Sequence, residues 1–257
     1  MSAHAAVDQA HTVYSSTPHR LARLPLRAEL FLLAHDDDSG GPHINLQSLA
    51  IGLAGAVLIE LWLAQHVVIG WRFDPMRRRW EPEPGRITVM TESSAGETLA
   101  DAALATIRRT RRDQAQLRNW LRTFAASDLY ERVRADMLIV GLLRRTTRRR
   151  YGFVRTDVYA AADTAWAVRV RAQIRSVVHG FEHPRQPGRE LPDNQCAALC
   201  GLAWALELTP FMYHAGMSAS RFQQWLGHIA NQDDDAIRAV IRAVDAGRGD
   251  LAVAAMG

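Results

Sequence analysis

The chain has 257 residues, 48% of them hydrophobic, enough for one large domain or two small ones around a real core. Alanine, leucine and arginine dominate and aromatics are 7%, which favours helix over sheet. The net charge of +4 is carried almost entirely by arginine; it leans towards anionic partners, although a solvated basic surface accounts for it equally.

Residues 1–20 are rich in Ala, Ser, Thr and His without periodicity and read as a flexible N-terminal arm, followed by a single domain over 21–257. The start has neither a basic n-region nor an apolar h-region, and no glycine follows Met1, so neither a secretory signal nor myristoylation is read. Pro25 suits the first turn of a helix that continues through Leu26, Leu30, Leu33 and Ala34. Asp36-Asp37-Asp38-Ser39-Gly40-Gly41 ends it, and lacks the ligand alternation and closing glutamate of a calcium loop. Residues 46–65 are apolar on most faces and predict the central helix of a bundle. Their apolar run, 49–63, is shorter than the roughly 20 residues of a membrane span and contains Glu60. It therefore reads as buried, and membrane contact as peripheral.

Residues 67–69 predict a strand, 71–80 a hairpin turning at Asp74-Pro75, and 86–91 a further strand. Helices are expected over 98–108, 116–124 and 129–140. Residues 142–155 have apolar ends around an arginine-rich middle and predict a second hairpin with a basic tip. A helix over 163–179 carries Trp166, Val168, Val170, Ile174 and Val177 on one side and Arg169, Arg171 and Arg175 on the exposed one. After a Pro- and Gly-rich loop over 180–192, a strongly apolar helix covers 194–208. Short helices follow over 218–230 and 235–246, with a tail from Asp250. Cys196 and Cys200, four apart on an apolar helix, are poorly placed for a disulfide and point to a reduced compartment.

No catalytic motif is present: there is no Gly-rich phosphate loop with a following lysine and no G-x-S-x-G elbow. His179 and His183 have the spacing of two helical metal ligands. Gly180 between them and Pro184 after them predict that the helix ends at His179, so a loop or cap role is preferred to zinc. His214 has no partner in sequence. The reading is a non-enzymatic protein with no metal and no cofactor.

Basic clusters are the one feature above background: Arg77, Arg78 and Arg79 at one hairpin, Arg108, Arg109, Arg111 and Arg112 at a helix end, and Arg144, Arg145, Arg148, Arg149 and Arg150 at the other hairpin. With Tyr151 and Phe153 beside them, the last group suits an anionic bilayer. It also suits nucleic acid, or an edge strand protected by charge against aggregation.

Five ordered segments carry a resemblance. They are 24–40 (LPLRAELFLLAHDDDSG), 51–61 (IGLAGAVLIEL), 92–104 (ESSAGETLADAAL), 140–143 (VGLL) and 199–205 (LCGLAWA). In this order they resemble the Golgi phosphoprotein 3 family from about residue 24 to the C-terminus, in an arginine- and alanine-rich form similar to an actinobacterial branch. The resemblance implies a mainly α fold: a central helical bundle ringed by amphipathic helices, with two short β-hairpins. It also implies phosphatidylinositol 4-phosphate binding on a basic face, and self-association through the 142–155 hairpin. The family's headgroup positions fall at Asn45, Ala54, Ser127 and Tyr130, where its tryptophan and three arginines are replaced. Arg132 and Arg134 lie nearby, but two apart, which does not put them on one helical face.

The expected function is that of a cytoplasmic adaptor or sorting factor, peripheral on the inner face of a membrane and bound to anionic phospholipid headgroups. Its basic candidates are Arg77, Arg78, Arg79, Arg132, Arg134, Arg144, Arg145, Arg148, Arg149 and Arg150. Its partners are an anionic membrane lipid and a membrane-associated protein; nucleic acid is not expected. The alternative is a soluble protein-interaction module that has lost lipid binding, which the residues at Asn45, Ala54 and Tyr130 favour.

Overall fold

The computed structural model describes residues 23–109, 116–150, 154–184, 192–212, 216–232 and 234–254. The arm over 1–20, Arg111, Arg112, Tyr151, Phe153 and His214 lie outside them, and Arg148–Arg150 are placed by strand register alone.

The fold is built on α2 (Leu46–Leu63), whose residues from Leu49 to Ile59 are all buried. Around it pack α1 (Leu26–Leu33), α3 (Thr98–Arg109), α4 (Leu117–Ala125), α5 (Leu129–Ile139), α7 (Asn194–Ala205) and α10 (Asp235–Ala254). Each fully buried Leu or Ile of α2 contributes roughly 1.5–3 kcal/mol of transfer free energy. By length and composition α2 could cross a membrane; instead it fills the centre of the bundle. Helices α6 (Thr164–Glu182), α8 (Thr209–Met212) and α9 (Ala219–Gln232) complete the shell. The mainly α architecture with two hairpins is as expected.

Two antiparallel ribbons leave the bundle. Strands β1 (Val67–Asp74) and β2 (Arg79–Val89) form one; β3 (Leu143–Arg150) and β4 (Val154–Ala161) form the other. The first begins at the C-terminal end of α2, where Met90 N donates to His66 O at 2.9 Å. The second is rooted at the opposite end. There Gly40, in the turn before α2, sits with φ +63° so close to the Tyr159 carbonyl that a Cβ would overlap it.

Several boundaries differ from expectation, each for a tertiary reason. Residues 67–91 form one ribbon, not a hairpin flanked by strands: the register jumps between Ile69↔Ile87 and Trp71↔Pro82, so Glu83–Arg86 bulge out without ending the pairing. Helix α6 does not stop at His179 but runs through Gly180, because Glu182 ion-pairs with Arg221 of α9 at 2.8 Å. The 235–246 helix and its tail are one helix, α10. A Cβ on Gly247 would press on Ile51 of α2 at 3.3 Å, and Asp250 pairs with Arg118 and Arg122. On α6, Val168 is 52% exposed, and Arg171 is drawn inward to pair with Asp37. Beyond the expected 155, β4 continues to Ala161.

Candidate functional site

The N-terminal end of α2 is assembled from the 36–45 turn, the start of α5, β4 and α8. Asp36 Oδ1 accepts from Ser39 N at 2.7 Å, and His43 N donates to Ala34 O at 2.8 Å, which locks the turn onto α1. His43 stacks on Phe211 of α8 with centroids 4.0 Å apart. Asn45 is the N-cap of α2: its Oδ1 accepts from Gln47 N at 2.7 Å, using an amide oxygen that would otherwise be free to meet a ligand.

Tyr130 stacks on Phe31 at 5.5 Å and meets His35 Nε2 at 2.9 Å. His35 Nδ1 lies 2.7 Å from the Phe31 carbonyl, which can only accept, so Nδ1 carries the proton and Nε2 accepts from the Tyr130 hydroxyl. Burial pushes His35 down to about 4, so the ring is neutral at pH 7. Arg134 lies over the Tyr159 ring at 4.1 Å and pairs with Glu131. Arg132 is half-buried and lacks an ion-pair partner among the described residues. Ser127 Oγ donates to Phe124 O at 2.6 Å, and Ala54 is fully buried.

The two ribbons carry charge differently. Residues 67–89 hold five arginines (72, 77, 78, 79, 86) and three acids (74, 81, 83), a net of +2. Glu81 draws in Arg72 at 3.3 Å, Arg77 at 3.1 Å and Arg79 at 3.1 Å, and Glu83 takes Arg72 at 3.0 Å. Residues 143–161 hold six arginines (144, 145, 148, 149, 150, 155) against Asp157 alone, a net of +5. Asp157 is taken by Arg145 at 2.5 Å, and that pairing holds its carboxyl below the usual carboxylate range. Arg144 is exposed without an ion-pair partner among the described residues. Register sets Arg149 directly opposite Arg155.

The Golgi phosphoprotein 3 (GPP34) family model matches residues 26–246. The chain belongs to the Golgi phosphoprotein 3 family. Vacuolar protein sorting-associated protein 74 of Eremothecium gossypii is 25% identical over 167 residues, 60% of this chain and 49% of that protein. The match thus spans about half the length of the curated relative.

Against the family's headgroup positions, the structure brings Asn45 and Tyr130 to the same end of the bundle, along with Arg134. Ala54 lies about two turns inside α2, and Ser127 caps the Phe124 carbonyl. Arg77, Arg78 and Arg79 are not part of this end, because β1–β2 leaves the other end of α2. Sequence reading put Arg171 on an exposed face and did not single out Tyr159 or the neutralising Glu81 and Asp157. The first two are brought in by tertiary packing; the acids become visible only once strand register is known. An open cleft of about 420 Å³ lies elsewhere, beside Arg27, Glu60, His66, Glu97 and Gln195. Its charged groups answer one another: Arg27 bridges Glu60 and Glu97, and burial pushes the Glu60 carboxyl up. Among the described residues, no three His, Cys, Asp or Glu side chains gather to hold a metal.

Proposed function

We propose that this family member is a non-enzymatic, cytoplasmic adaptor that docks peripherally on the inner face of an anionic membrane, with the β3–β4 ribbon as its principal electrostatic contact. The observation that carries this reading is the ribbon's six arginines against one acid, on a hairpin rooted at the N-terminal end of α2. An arginine at an anionic bilayer surface contributes on the order of 1 kcal/mol. The excess on β3–β4 is therefore enough to hold the protein on a bilayer while remaining sensitive to salt.

Binding is charge-driven rather than selective for phosphatidylinositol 4-phosphate. The four family headgroup positions carry no cation here, and Asn45 and Tyr130 spend their polar atoms on the cap of α2 and on His35. Sedimentation with phosphatidylserine and phosphatidylinositol 4-phosphate vesicles of matched charge tests both parts. The expected result is equal capture, weakened by salt and reduced about a hundredfold by replacing Arg148, Arg149 and Arg150 with alanine, as three contacts of roughly 1 kcal/mol each require. Equal and poor capture by neutral and anionic vesicles would overturn it. The same occupied positions favour a second reading, a protein-interaction module without lipid binding. A stoichiometric protein partner recovered in the absence of vesicle capture selects it.

A further inference from the structure

The distal half of the β1–β2 ribbon has an apolar side that the fold leaves uncovered. At its base Val67, Ile69 and Ile87 are buried in the core. Beyond them, Trp71 and Phe73 continue the alternate-residue pattern of β1 into solvent, 43% and 44% exposed. Register sets Trp71 opposite Pro82 and Phe73 opposite Trp80, so these four residues share one face. The Phe73 and Trp80 rings meet edge to face at 5.4 Å. Met76, at the turn, is 91% exposed. The opposite face carries Arg72, Asp74, Arg79 and Glu81.

Three features distinguish this face from scattered surface hydrophobics. It is contiguous, and it sits on the part of a ribbon that extends past the bundle. It is also bordered by Arg78 at the turn, which is exposed without an ion-pair partner among the described residues, and the ribbon keeps a net charge of +2. Indole rings with one apolar edge and one N–H settle where hydrocarbon meets headgroups. Arginines next to them can reach phosphates while their stems lie on apolar surface. A protein groove would satisfy the rings alone; an anionic bilayer satisfies the rings, Arg78 and the ribbon's net positive charge together.

We infer that the tip of the β1–β2 ribbon, with Met76 leading and Trp71, Phe73 and Trp80 behind it, is a wedge that enters the interfacial layer of an anionic membrane. This rests on the membrane-docking reading above, and assigns the shallow apolar contact to the ribbon with the smaller net charge. Charge on β3–β4 brings the protein to the surface; the wedge adds apolar burial that salt does not screen.

The test places an environment-sensitive fluorophore on Met76→Cys in the full chain. Cys196 and Cys200 are buried and leave the new thiol as the accessible target among the described residues. Phosphatidylcholine vesicles containing phosphatidylserine should shift its emission to the blue, and lipids spin-labelled near the headgroup should quench it more than lipids labelled deep in the chain. Met76→Gln, at a fully solvated turn where folding is not at stake, should weaken vesicle capture roughly tenfold, the scale of one lost apolar side chain. Capture without a shift, and unchanged in Met76→Gln, overturns the wedge and leaves charge-driven docking standing. Absence of capture overturns both. A blue shift that grows with protein concentration without vesicles assigns the face to a second copy of the chain and overturns the membrane wedge.

Discussion

In β1–β2, three arginines converge on Glu81; β3–β4 carries six arginines and one carboxylate, which Arg145 takes. The ribbons have the same topology and similar arginine counts, yet one spends its charge internally while exposing aromatic rings, and the other has a single acid with which to do so. Arginine number alone therefore says little about the charge a surface offers. What counts is whether register places a carboxylate within reach, because a paired guanidinium has little left to give a phosphate.

The roots of the ribbons differ as much as their tips, and the largest expected effect tests this. Gly40→Ala should destabilise the protein by more than about 3 kcal/mol. The left-handed backbone costs about 1–2 kcal/mol, and the new Cβ must also push back the Tyr159 carbonyl. Gly70→Ala, at φ +83° with open space around it, should cost only about 1–2 kcal/mol. Urea midpoints of the two variants measure the gap, and equal losses would break the contrast between a packed root and an open one.

Acid should separate the ribbons next. His35 titrates in the folded state at about 4, below its unfolded value of 6.5, so the unfolded chain takes up the proton first. Its contribution to stability is complete above pH 6.5 and is lost as pH falls towards 4, by up to about 3 kcal/mol. His43, held below its ordinary value by partial burial, acts in the same direction, while the nearby Arg134 cation further disfavours protonation of His35. Hydrogen exchange at pH 5 against pH 7, corrected for intrinsic rates, should show protection falling first around Tyr130 and β4, with β1–β2 following only on global opening. His35→Gln should flatten the pH dependence of the urea midpoint over this window.

The smallest effect is a gain. Glu81→Gln removes the carboxylate shared by Arg72, Arg77 and Arg79, and should raise affinity for phosphatidylserine vesicles about fivefold, the scale of one charge at a bilayer. Unchanged affinity in a vesicle titration would show that β1–β2 does not face the lipid.

Much of the fold was legible in the sequence because apolar spacing reports burial directly. Helix α2 lies within two residues of its expected end, and its lack of a polar face announced a central position. Helices α6 and α10 run past their expected ends through contacts that sequence spacing does not show: Phe181 packs on the core and Glu182 meets Arg221, and Gly247 lets α10 approach Ile51 closely. The candidate site was less legible. Asn45 and Tyr130 were found as positions, but that one caps a helix and the other bonds His35 across 95 residues needs the folded chain. The neutralisation of Arg72 depends on the hairpin register that sets it opposite Glu81, where Arg77 and Arg79 also converge. A count of arginines along the sequence gives no hint of it.

The two ribbons leave opposite ends of α2, whose 18 residues span about 27 Å. On the proposed docking, two weak contacts would be mounted on a stiff strut rather than a floppy tether. Once one foot touches a surface, the other searches a small volume, and its landing becomes an intramolecular event with a high effective concentration. A bilayer that engaged both feet would thus be sampled from both ends of α2 at once.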